Sequence, residues 1–140
     1  MRIVSVAVVF FFLISFGSWA KTSNDYLKDS ENGICKDLIK GESYHEIYNC
    51  AALMENDSRA MLVKRISEIK VALEKMNNKE ITDAFIREQR SWEVYKKDRC
   101  SYVTLGIDKN EMAYQFNLDI CNAIENYRRI ETLYGEPSFP

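Results

Sequence analysis

Two stretches of this chain repeat their apolar residues at steps of four and three. Leu62, Ile66, Ile69, Leu73 and Met76 form the first, and Phe116, Ile120, Ala123, Tyr127, Ile130 and Tyr134 the second. That spacing draws one apolar stripe along a helix and leaves the opposite side polar. Between them Phe85, Trp92 and Tyr95 share one side of a third segment, with Ile81 near its start. No useful length of chain alternates with period two, and no Asn-Gly or Asp-Gly pair offers a hairpin turn. The expected class is all-α.

Punctuation in the sequence divides these helices. Ser43 to Met54 reads as a helix carrying Cys50, and Asn56-Asp57-Ser58 offers a break or a new N-cap before the first stripe. Asn77-Asn78 stops that stripe, and Thr82 or Asp83 is the expected cap of the next helix, which runs to about Tyr102. Gly106 and Asp108 mark a loop, a last helix begins near Asn110, and Gly135 and Pro137 end it. Connections this short make consecutive helices antiparallel neighbours. An antiparallel bundle of three to four helices follows, and its closed core accounts for the stripes better than a partner coiled coil does.

The first twenty residues have a different character. Met1-Arg2 is a positive start, Ile3 to Phe16 is almost wholly apolar, and Gly17-Ser18-Trp19-Ala20 ends on a small-x-small pattern. This is the layout of a signal peptide over residues 1–20, cleaved after Ala20, and the apolar run is short for a membrane span. The expected exported chain is Lys21 to Pro140, divided into a mobile polar arm at 21–33, a helical domain at 34–136 and a tail at 137–140. It carries no stable membrane insertion once the leader is gone.

Charge and composition exclude more than they name. The formal net charge of −2 becomes −3 without Arg2, so nucleic-acid binding by phosphate neutralisation is not expected. One histidine, His45, leaves no room for a histidine metal cluster, and beside Glu46 it reads as a surface residue. No zinc-protease, nucleophile-elbow, phosphate-loop or dinucleotide motif occurs, so no catalytic residue, metal or cofactor is expected. The even set Cys35, Cys50, Cys100 and Cys121 contains no C-x-x-C pair, and in an exported domain it reads as two disulfides. All four fall toward one end of the expected bundle, so placement alone leaves the pairing open.

The densest motif is Gln89-x-x-Trp92-x-x-Tyr95-Lys96-x-x-x-Cys100. It resembles the signature of the bacterial lysozyme inhibitor LprI family, small exported helical domains with paired cysteines. Cys35 and Cys50 look like that family's first cysteine pair, and Cys121 with Arg129 and Leu133 looks like its closing element. The resemblance covers about residues 35–134; Lys96 stands where the family usually has arginine. Sequence-local Cys35–Cys50 and Cys100–Cys121 is then the favoured pairing, with nested Cys35–Cys121 and Cys50–Cys100 as its rival.

Read physically, Phe85, Gln89, Trp92, Lys96 and Cys100 fall within about 80° on a helix, which makes the motif mainly architectural. Trp92 would fill the core, and Gln89 and Lys96 could bond across to a neighbouring helix. The resemblance implies a non-enzymatic binding protein whose partner is a lysozyme. The alternative is a structural, adaptor or immunity module of the envelope. A binding surface is expected near residues 101–115, where Tyr102, Tyr114 and Phe116 frame the loop, and on the polar arm.

Overall fold

A computed structural model describes residues 21–38, 40 and 43–137. The proposed leader and residues 138–140 of the tail lie outside the described residues. Among the described residues four helices follow in order: α1 (Ser23–Asn32), α2 (Tyr44–Lys75), α3 (Lys79–Val103) and α4 (Met112–Thr132). No strand occurs among the described residues. The chain is an all-α bundle stapled by two disulfides, Cys35–Cys50 and Cys100–Cys121.

The largest interface joins α2 to α4, and these two helices run parallel with α3 returning between their ends. One register holds over their whole contact. Tyr48 meets the Phe116 ring edge-on at 5.3 Å, Ser58 meets Asn126, and Arg65 meets Leu133, each pair 68 residues apart. The core lies along this seam: Met54, Leu62, Ile69 and Leu73 of α2 pack with Phe85 of α3 and with Ala123, Tyr127, Ile130 and Leu133. Ile66 and Ile120 are partly buried against it. Met76 and Tyr134, the last residues of the two stripes, follow the ends of their helices and are 44% and 43% exposed.

Three local expectations are corrected. The chain does not break at Asn56-Asp57-Ser58; α2 runs straight through. Cap-forming side chains spend their bonds on the helix itself, Asn56 Nδ2 donating to the Ala52 carbonyl and the Ser58 hydroxyl to that of Glu55. Asn126 then holds Ser58 from the other side, donating to its Oγ at 3.1 Å. The cap of α3 is Asn78, whose side chain accepts from the amides of Glu80 and Ile81, four residues before the expected Thr82. Asn77 supplies the turn with a positive φ of 51°.

The supposed mobile arm is the third correction, because most of it forms α1. A capping box starts it: Thr22 Oγ1 accepts from the Asp25 amide, and the Asp25 carboxylate accepts from the Thr22 amide. Its inner side rests on α4. Tyr26 stacks on Tyr127 at 5.4 Å, and the Ser30 and Tyr127 hydroxyls bond at 2.6 Å. Gly33 is required where the chain leaves α1, since a Cβ there would stand 2.8 Å from the Asp29 carbonyl oxygen. Cys35–Cys50 then fastens the segment to α2.

Candidate functional site

The motif residues assemble on the α3–α4 seam. Arg129 is 4% exposed, and its Nε and Nη2 both donate to Gln89 Oε1, at 3.0 and 2.9 Å. The same guanidinium grips both carboxylate oxygens of Glu88. Its carbon lies 5.6 Å from the Trp92 ring centroid, and Lys96 Nζ approaches the same ring at 5.0 Å. Lys96 donates to Asn126 Oδ1 at 3.1 Å, which continues the line Lys96–Asn126–Ser58–Glu55 across three helices. Burial holds the Lys96 amine below its ordinary pKa, with Glu55 and Glu93 opposing. The cluster therefore serves as a polar lock: it fixes α3 and α2 against α4 by bonds that demand one register.

Gln89 and Lys96 do reach the neighbouring helix, and Leu133 is wholly buried with its carbonyl held by Arg65. Two motif residues sit differently from expectation. Trp92 is only partly buried, because its ring forms the floor beneath two cations rather than the centre of the core. Tyr95 is 51% exposed, since three residues beyond Trp92 carry it to the outer flank of α3. Asn126, Glu88 and Arg65 were not singled out from sequence, and Ser58 was read only as part of a break or N-cap. The available signal was Asn126, a polar residue set within the apolar stripe just before Tyr127.

Both disulfides lie near one end of the bundle, the end formed by the start of α2, the end of α3 and the start of α4. The α3–α4 turn there is tightly built. Thr104 is buried, and its hydroxyl donates to the Cys100 carbonyl at 2.9 Å. Amide bonds from Leu105 to Tyr102 and from Ile107 to Thr104 fold the next residues, and Gly106 takes a φ of 89° that favours glycine. Asp108 Oδ1 accepts from the Asn110 amide at 2.8 Å. This rigid turn leaves Leu105 81% and Met112 56% exposed. Beside Met112 a hollow of about 240 Å³ is lined by His45, Tyr48, Phe116 and Asp119, with Tyr44, 80% exposed, at the start of the same helix. Tyr114 and Phe116 are partly buried, whereas Tyr102 is 68% exposed.

Among the described residues no three His, Cys, Asp or Glu side chains gather as metal ligands, and no helix is long and apolar enough to cross a membrane. Comparison with protein-family models, with curated proteins and with solved structures finds no match to this chain.

Proposed function

We propose that this chain is an exported binding protein that inhibits a lysozyme-type peptidoglycan hydrolase by occluding it. The observation that carries the reading is Leu105, an almost fully exposed apolar side chain on a turn held by the Cys100–Cys121 bridge, Thr104 and Gly106. A turn whose backbone is held in that way presents the side chain to a partner's cleft with little ordering of the loop. Met112 and Tyr44 at the same end extend the apolar surface. The motif resemblance names the partner class, and a net charge of −3 after loss of Arg2 favours encounter with a basic enzyme.

The test is titration of protein purified from the exported fraction into cell-wall lysis assays with several lysozyme types. Lysis is expected to fall with added protein for at least one type. Leu105→Ala is expected to weaken that inhibition by tenfold or more, about the cost of losing a central anchor. Lysis untouched at large molar excess for every type would overturn the proposal.

A further inference from the structure

The third helix is the least covered of the long helices. Of its 25 residues only Phe85, Gln89 and Cys100 are buried, whereas α4 buries seven of 21. Its exposed large hydrophobics are Val94 at 60%, Tyr95 at 51%, Tyr102 at 68% and Val103 at 37%. Their positions are symmetric about the midpoint between residues 98 and 99. So is the charge there, because Asp98 and Arg99 are both exposed and opposite in sign.

We infer that this face of α3 pairs antiparallel with the same face of a second copy of the chain. A two-fold axis through that midpoint sets Tyr95 against Tyr102 of the other copy, while Val94 and Val103, about 180° apart around the helix, lie at the flanks of the contact. It also sets Asp98 against Arg99 twice, once on each side of the axis. At about 100° per residue, Ser91, Val94, Tyr95, Asp98, Arg99 and Tyr102 span about 140° of helix surface. That width suits a helix–helix contact, and its centre lies about 120° around the helix from the centre of the Gln89–Trp92–Lys96 stripe that packs on α4. Self-complementarity of this kind is what a two-fold interface demands of a single patch. The facing aromatics supply area and the crossed charges fix direction and register. Leu105 and Met112 are not used in the contact, so the pairing stands or falls apart from lysozyme inhibition.

Sedimentation velocity on the purified full-length exported protein, from low to high micromolar, tests the pairing. The expected result is a shift from protomer mass to twice that mass as concentration rises. Asp98→Arg alone and Arg99→Asp alone each place like charges opposite one another and are expected to weaken pairing about tenfold or more. The double variant Asp98→Arg with Arg99→Asp restores opposite charges in the same register and is expected to recover the dimer. Far-ultraviolet circular dichroism confirms that each variant, altered only at exposed positions, remains helical. A protomer mass at every concentration overturns the inference. So do single variants that dimerise like the parent, or a helical double variant that does not recover. Protection of Tyr95 and Tyr102 only on adding a different protein would assign the face to that partner and equally overturn self-pairing.

Discussion

Arg65 of α2 caps the carboxyl end of α4 through Leu133. Its Nε and Nη2 donate to the Leu133 carbonyl at 3.0 and 2.9 Å, and Nη2 also reaches the carbonyls of Tyr134 and Glu136. The last carbonyls of a helix have no partners of their own, and a guanidinium there answers both the missing donors and the negative helix end. Arg65→Ala is expected to lower the unfolding free energy by about 1.5–3 kcal/mol, the usual worth of hydrogen bonds to a charged group. Arg65→Lys is expected to recover less than half, since an ammonium lacks the planar fork. Urea denaturation of the three proteins checks this.

The Arg129 cluster makes a sharper demand. Truncating a buried cation that two side chains were shaped to hold leaves Gln89 Oε1 without its donor and Glu88 without its cation. Arg129→Ala is expected to cost about 1–3 kcal/mol, the usual penalty for a buried acceptor left without its donor, because Glu88 is 56% exposed and regains water. Trp92 fluorescence is expected to shift as well, because the guanidinium stands over its ring. A loss under about 1 kcal/mol would mean that the lock contributes little to stability.

Each disulfide has a separable job. Cys35–Cys50 closes a separation of 15 residues and Cys100–Cys121 one of 21. Replacing either pair by serine is expected to cost about 3 kcal/mol in the chain-entropy picture. Only the Cys35/Cys50 variant is expected to free α1, seen as loss of near-ultraviolet dichroism from the Tyr26–Tyr127 stack. Only the Cys100/Cys121 variant is expected to loosen the turn that presents Leu105.

Alkaline stability separates a buried group from a partly buried one. Burial raises the Tyr127 phenol, with the Ser30 hydrogen bond opposing, and lowers the Lys96 amine. Above pH of about 10 the unfolded phenol ionises while the folded one holds its proton, so Tyr127 takes stability away as pH rises. Lys96 acts in the other direction. The unfolded amine keeps its proton where the folded one has lost it, so its contribution improves with pH until about 10.4. Urea midpoints between about pH 8 and about pH 11 are expected to fall less steeply for Tyr127→Phe than for the parent, and more steeply for Lys96→Met.

The long helices were legible because their stripes are long enough to show a period. Leu62 to Leu73 and Ile120 to Ile130 lie on the seam that their spacing predicts, and Phe116 joins it through Tyr48. The first helix was not legible, since only Tyr26, Leu27 and Ser30 face inward and a ten-residue polar segment offers too few such positions. Its one local clue was Thr22 with Asp25, a pair also common in loops. Asn56 and Ser58 misled for a different reason. Their side chains cap or back-bond with equal ease, and Asn126, 68 residues from Ser58, decides which. Arg65 was hidden among the outward charges because a long side chain can reach past its own face. For the candidate surface, the loop after Cys100 was legible from Gly106 and Asp108, but the exposure of Leu105 depends on how Thr104 and Gly106 fold the turn.

The parallel register of α2 and α4 has a consequence for how the chain reaches this state. In an up-and-down bundle, most contacts join helices that are adjacent in sequence, and such topologies close their loops quickly. Here the most extensive seam joins partners 68 residues apart, so its closure entropy must be met before Tyr48, Ser58 and Arg65 find Phe116, Asn126 and Leu133. The third helix is the loop being closed. Stiffening it shortens the search, and substitutions on its exposed side that raise helix propensity should quicken refolding more than they slow unfolding. The rate-limiting search is then for the correct rung between two parallel ladders, a question of time rather than of strength.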